Sequence, residues 1–257
     1  MGKYFNKLAE LKPYDKARVE LWTGWNANYN QESREETVAT IASLSYGNEQ
    51  AKNPAGLYNR LKKLKHESLF EFINKPVENR RIENSLRHNP DLPFSNRAER
   101  NKHKECIATF KVKVPIFVAR QFMRHRCFSY LELSRRYTKS NKVKFEFYKP
   151  DDLSDLPKEE QNKIKDFYII QLENAVNMYS MMVKSGVKPE VARGIIPVSS
   201  YTEFWGQGTV ECLTNFFNLR LALTAQKEIR YIAQAMLELI KQYQPELFTK
   251  LIEKGIR

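Results

Sequence analysis

Apolar and polar positions alternate most regularly after Cys106. Ala108, Phe110, Val112 and Val114 alternate with Lys111 and Lys113. This period of two predicts a strand with one buried and one wet face. Pro115 then suits the first turn of a helix, on which Phe117, Gln121 and Arg124 share a face. Val143, Phe145 and Phe147 predict a second alternating strand, closed by Pro150. Downstream the period becomes helical. One helix is expected from about Pro157 to Ser185, ending before Gly186. A short one starts at Pro189 and carries Arg193. A long one runs from Val210 to Tyr243, with Leu213, Phe216, Phe217, Ile232, Met236 and Leu239 in phase, and stops before Pro245.

Residues 1–60 are mixed in pattern and expected to be mostly helical. Ser33 lies three before Glu36, a capping-box spacing, and Gly47 would end that helix. A second helix is expected from Pro54, breaking near His66. Residues 73–105 are polar, rich in proline and asparagine and poor in apolar periodicity. They predict a long surface excursion, of the kind that is often functional. No internal repeat, heptad run or low-complexity tract interrupts this order.

Composition narrows the class. The chain has 257 residues, 42% of them hydrophobic and 12% aromatic, which suits one large domain or two small ones. The formal net charge of +13 points to anionic partners without separating nucleic acid from small phosphorylated ligands. The three cysteines, Cys106, Cys127 and Cys212, are odd in number and irregularly spaced. That argues against a disulfide framework and fits a reducing cytosol. The first twenty residues have no apolar core for a signal peptide. The longest apolar run, about "VPIFVA", is far too short for a bilayer. A cytoplasmic protein is expected.

Several chemistries lack their residues. "GQG" at Gly206–Gly208 has no third glycine for a dinucleotide fingerprint and reads as a turn. No phosphate-binding P-loop is present. "HESLF" starts like a zinc-protease motif, but Phe70 stands where a second histidine is needed. His88, His103 and His125 are scattered, and no metal site is expected. Cys127 has arginine neighbours that would lower a thiol pKa, yet no histidine constellation points to it. A small packed residue is the favoured reading there.

One segment concentrates charge. "RHRCFSYLELSRRYT", Arg124 to Thr138, holds four arginines against one glutamate. Ser129 to Glu132 has capping-box spacing, which would place Ser134, Arg135 and Arg136 on the next turn. Amides at a helix start together with arginine forks make an anion site. A solvated basic patch is the bland alternative. The interleaved Phe128, Tyr130, Leu131 and Leu133 favour a packed phosphate site.

The segment resembles the signature of flavin-dependent thymidylate synthases. Arg124, His125, Arg126, Ser129, Glu132, Ser134, Arg136 and Tyr137 match, while Leu131 stands where asparagine is usual. "PIFVARQFMRHR", "FEFYKP", "PEVARGIIP" and "NFFNLR" are similar to the family's flanking segments. "HESLFEF" resembles an upstream one, with Phe72 in place of a usual histidine. The similarity spans about 106 to 240 and is thin before 60.

The resemblance implies an α+β fold in which a small, largely antiparallel sheet is flanked by long helices. It implies a single domain over 1–257, with 73–105 as an insertion. It implies a homotetramer with shared sites that converts dUMP to dTMP. Methylenetetrahydrofolate would be the carbon donor, FAD the cofactor and NADPH its reductant. Nucleic acid and membrane are not expected partners. The nucleotide would meet Gln121, Arg124, Glu132, Leu133, Ser134, Arg135, Arg136, Arg193 and Arg220, with Ser134 and Arg136 at its phosphate. Arg220 would be catalytic, stabilising negative charge on the uracil ring. The flavin positions are Ser68, Glu71, Arg124, His125, Arg126, Glu132, Thr209, Glu211 and Asn215. At three further positions the chain departs from the family: Thr209 replaces a usual asparagine, Glu211 a usual arginine and Thr224 a usual histidine. A different modification of carbon 5, such as hydroxymethylation, is the alternative within the class. A nucleic-acid-binding protein that reuses the basic cleft is the alternative outside it.

Overall fold

The computed structural model describes residues 5–10, 17–23, 38–44, 53–64, 107–134, 145–150 and 153–256. The excursion expected at 73–105, the cap at Ser33, the stop at Gly47 and Val143 lie outside these residues. The described elements are β1 (Phe5–Glu10), β2 (Arg18–Thr23), α1 (residues 38–44), α2 (Pro54–Lys63), β3 (Ile107–Pro115) and α3 (Ile116–Phe122). They continue with β4 (Ser129–Glu132), α4 (Lys158–Lys184), α5 (Pro189–Ala192), a 3-10 turn (Arg193–Ile195), β5 (Tyr201–Thr209), α6 (Val210–Arg220), α7 (Lys227–Tyr243) and α8 (Pro245–Glu253). The class is α+β, as expected. The five strands form one antiparallel sheet in the order β1-β2-β3-β5-β4.

Register decides what each face carries. Val112 pairs with Val19 on one side and Phe204 on the other, and Phe110 pairs with Leu21 and Gly206. These residues share one face. It is covered by Phe122 of α3, Leu213 and Phe216 of α6, Ile232 and Met236 of α7 and Leu251 of α8. On the opposite face Trp205 packs with Val38, Ile41 and Leu61 of α1 and α2. The sheet is therefore covered on both sides, and the lysine face of β3 is not wet as expected. Lys111 and Lys113 are mostly buried and paired, Lys111 with Glu203 at 3.3 Å and Lys113 with Glu146. Burying a charge is costly unless it is paired, and these carboxylates supply the pairs.

Local chemistry explains several boundaries. Pro54 opens α2, and Asn53 accepts the Gly56 amide at 2.9 Å. α4 ends in a Schellman turn: Gly186 has φ of 91° and donates to the Val183 carbonyl, and Val187 donates to Met182. Glycine adopts that conformation without a Cβ penalty.

Other expectations are corrected. Among the described residues of 1–60, the expected helices share the region with two strands, β1 and β2. Among the described residues of the second alternating segment, 145–150, the only sheet pairing is one bridge between Phe147 and Ser200. The helix expected over 210–243 is two helices. Stepping on from Phe217 by three or four would aim Thr224 and then Lys227 or Glu228 at the core. The break at 221–226 resets the phase, so Ile229, Ile232 and Met236 are buried instead. Ser129 to Glu132 is a strand paired with β5, not a helix cap.

"GQG" is also strand. Gly208 makes room for an aromatic ring, a known reason for glycine inside a sheet, while Gly206 has space for a Cβ. A Cβ on Gly206 would stand 3.7 Å from the Tyr130 ring, and one on Gly208 would stand 2.6 Å from the Phe128 ring. Phe128 is held by Tyr130, Phe122 and Phe216, so it cannot swing aside. Gly208→Ala is expected to destabilise the fold by about 1–3 kcal/mol, the cost of overpacking. An unchanged urea midpoint would show that Phe128 yields freely.

Candidate active site

Residues 124–128 of the basic segment form a turn between α3 and β4, so Arg124 lies past the end of the helix on which it was expected. Arg124 and Arg126 are exposed on it, while His125 between them is buried. The turn is fixed from several sides. The His125 amide donates to Phe122 O at 3.0 Å, and the Phe128 amide donates to His125 O at 3.2 Å. The Tyr130 hydroxyl lies 2.9 Å from both Phe122 O and His125 O, sharing one proton between two carbonyls. Burial pushes the Tyr130 phenol well above its usual value, so it stays a donor.

α6 brings the last residue of its helix to this turn. Arg220 Nε donates to His125 Nε2 at 2.9 Å, and Nη2 donates to the Gln121 carbonyl at 3.0 Å. The Gln121 side chain bonds Gln226, the residue that precedes α7. Three helices thus meet around one half-buried guanidinium. Burial lowers the Arg220 pKa, but arginine remains charged at any working pH.

His125 is 5% exposed. Its pKa is lowered from 6.5 to about 4, first by burial and then by the charge on Arg220. Between these values the unfolded chain binds a proton that the folded chain refuses. Stability therefore falls as pH drops from about 6.5 towards 4, by about 3 kcal/mol in full. The pH dependence of unfolding free energy, compared with that of His125→Gln, checks this: the variant should lose that part of the acid slope.

The other expected residues fall as follows. Glu132 ends β4, is exposed and accepts the Thr202 hydroxyl at 2.7 Å. The Leu133 amide donates to Glu203 O at 2.8 Å, and its side chain packs beside the Trp205 cluster. Ser134 follows, half-buried. Arg193 stands on the 3-10 turn, exposed, with Nε donating to Glu190 O at 3.2 Å. Asn215 is exposed on α6. Ser68, Glu71, Arg135 and Arg136 lie outside the described residues. Because Ser129 starts a strand, no helix N-terminus adds amides at 129–134 among the described residues.

Thr209 and Glu211 have local uses. Thr209 caps α6 by accepting the Cys212 amide at 3.5 Å. Glu211 lies in the first turn, where the helix dipole favours a carboxylate. One of its oxygens is buried without a partner among the described residues. Cys212 Sγ donates to Cys127 O at 3.1 Å. The hydrogen bond with Cys212 and burial push the Cys127 thiol up, which overrides any lowering by the neighbouring arginines.

Gln226, Thr202 and Tyr130 were not singled out by sequence as site residues. The phase slip after Phe217 was the available signal for Gln226, because it marks the end of α6. Thr202 and Tyr130 left no comparable trace. Among the described residues no group of histidines, cysteines and carboxylates could hold a metal ion. No described helix is long and apolar enough to cross a membrane.

Comparison with known proteins joins this geometry to a family. Residues 98–246 match the family model described as thymidylate synthase complementing protein. A flavin-dependent thymidylate synthase of Thermotoga neapolitana is 35% identical over 194 residues, covering 72% of this chain and 82% of the relative. That of Thermosipho africanus is 35% identical over 66% of this chain and 76% of its own length. That of Treponema denticola is 37% identical over 57% and 61%. The matched span contains the basic turn and Arg220 alike, and the chain belongs to the flavin-dependent thymidylate synthase family and is an enzyme of that type.

Proposed function

We propose that the enzyme converts dUMP to dTMP, with methylenetetrahydrofolate as carbon donor and NADPH-reduced FAD as hydride source. The observation that carries this reading is the state of Arg220. Its guanidinium is fixed by His125 and Gln121 and spends two of its five N–H donors on them. Three remain for a ligand.

Carbon 5 of uracil is a weak nucleophile until the ring carries negative charge. That charge spreads over N3 and its carbonyl neighbours, which together present adjacent acceptors. A planar fork matches such a pair and remains charged throughout. Held in place beforehand, it stabilises charge where it develops without having to reorganise. Ser134 and Arg136 follow β4 in sequence and are assigned to the nucleotide phosphate, with Arg135 beside them in the nucleotide set. Gln121, Arg124, Glu132, Leu133 and Arg193 complete the nucleotide set.

The donor set also fits a flavin dinucleotide. Arg124 and Arg126 are exposed and make no ion pair among the described residues, so two guanidiniums are available to one diphosphate. Ser68, Glu71, His125, Glu132, Thr209, Glu211 and Asn215 are the further positions assigned to it. When bound, the flavin supplies the hydride. The role of this chain is to hold dUMP and exclude a competing nucleophile. Cys127 is protonated and bonded within the protein, so it is not needed for attack on carbon 6. Cys127→Ala is expected to keep turnover within a few-fold. A dead variant with normal fold and flavin content would restore a thiol mechanism.

A homotetramer is part of this reading. α4 has 27 residues but buries only Leu172 and Tyr179, while Ile164, Phe167, Ile170, Met178 and Met181 are exposed on it. A second copy of the chain would cover such a surface, and Arg193, two elements on, would reach a neighbouring site.

The deciding experiment is anaerobic single turnover with dUMP, methylenetetrahydrofolate and reduced flavin, with the product identified by mass. dTMP supports the reading. A hydroxymethylated base moves the enzyme to a different modification of carbon 5, and unchanged dUMP overturns the reaction.

A further inference from the structure

We propose that His125 is the positioning residue of Arg220: a neutral imidazole, protonated on Nδ1, whose Nε2 lone pair holds the guanidinium in its working orientation. The proposal rests on the reading of Arg220 as the group that faces the uracil ring.

The geometry sets the tautomer. An arginine Nε–H can only donate, so at 2.9 Å His125 Nε2 must be the acceptor. The ring proton is then on Nδ1. An imidazolium would place an N–H against an N–H and a cation against a cation. The second anchor is the Gln121 carbonyl, which takes Nη2–H at 3.0 Å. Nε–H and the adjacent Nη2–H form the side edge of the guanidinium. With that edge given to the protein, the end edge, from Nη1 and the outer N–H of Nη2, is left for the substrate.

His125 is suited to this because it cannot move. Its carbonyl accepts from Phe128 and lies 2.9 Å from the Tyr130 hydroxyl. The Phe216 ring meets the imidazole edge-on at 5.0 Å. Arg220 from α6 is the charge that acts on the ring, and Tyr130 from β4 stays a neutral phenol. Arg124 and Arg126 flank His125 along the chain and are exposed. No described carboxylate is bonded to the imidazole to draw a proton onto it. The lowered pKa of His125 agrees with a ring that stays an acceptor through neutral pH.

Two measurements test the proposal separately. Nitrogen-15 histidine NMR of the purified enzyme without dUMP reads the tautomer directly. The expected signal is an unprotonated Nε2 and a protonated Nδ1 at pH 7, persisting to about pH 5. In Arg220→Ala the ring should titrate at higher pH, since the neighbouring charge is gone. An Nε2–H tautomer or an imidazolium at pH 7 overturns the proposal whatever the reaction is.

The second measurement is kinetic. His125→Phe keeps a ring against Phe216 but offers no acceptor, whereas His125→Gln offers a carbonyl at similar reach. The phenylalanine variant should lose about tenfold to a hundredfold in kcat, the scale of a misplaced catalytic group, with little change in KM for dUMP. The glutamine variant should recover to within several-fold. A folded phenylalanine variant with unchanged kcat overturns the positioning role. If Arg220→Ala itself keeps full kcat while NMR shows the expected tautomer, it is the function assigned to Arg220 that fails, and the positioning role with it. The pairing of the two side chains would then stand as structure alone.

Discussion

Arg220→Ala is expected to lower kcat by about 10²–10³, the scale seen when one preorganised oxyanion donor is removed. Affinity for dUMP should change less, because the ground-state ring is neutral and the phosphate contacts lie elsewhere. The guanidinium is half-buried, so its field is screened less than it would be in bulk water. Lysine would restore only part of the rate. An ammonium is a point charge without a side edge, so it cannot satisfy His125 and Gln121 and still present a fork. Some stability will be lost as well, since Arg220 is the basic residue in the last turn of α6 and favours that helix end by about 0.3–1 kcal/mol. Single-turnover rates at saturating dUMP, read beside the unfolding midpoint, separate the two effects. A fall in kcat smaller than about fivefold would remove Arg220 from the chemistry.

The parts of this molecule that were legible in sequence are those whose cause is local. The alternation at Ala108–Val114 gave β3, and the proline that follows gave the start of α3. The long period ending at Gly186 gave α4 within one residue at each end. The failures have non-local causes. Ser129 and Glu132 satisfy a helix-cap spacing, but pairing with β5 makes them strand. Gly208 resembles a turn residue because the Phe128 ring it accommodates lies outside β5. The wet face expected of β3 is closed by partners distant in sequence: Lys111 and Lys113 pair with Glu203 and Glu146, and Trp205 on the same side packs against α1 and α2. Within the site, the arginines announced themselves as a motif. The contact between His125 and Arg220 spans 95 positions and has no sequence period, so the role of His125 stayed open until the two side chains were seen bonded.

The core beneath the site makes a second large effect measurable. Phe216→Ala is expected to cost about 3–5 kcal/mol, the range for truncating a buried phenylalanine. Phe216 is fully buried. Its ring lies 4.5 Å from Phe122, 5.0 Å from His125, 5.5 Å from Phe217 and 5.9 Å from Phe128, centre to centre. These neighbours come from α3, the basic turn and α6 itself, so a cavity there cannot close by moving one side chain. The cost should sit at the upper end for that reason. It should also carry a functional mark, since the ring that braces His125 is gone and Arg220 loses a firm acceptor. Phe216→Leu keeps much of the volume and should cost under about 1.5 kcal/mol if the site repacks. Urea midpoints at fixed protein and flavin concentration give the comparison, because bound ligand and association both shift apparent stability. A loss below about 1 kcal/mol in the alanine variant would mean that these aromatic contacts do not hold α3 against α6.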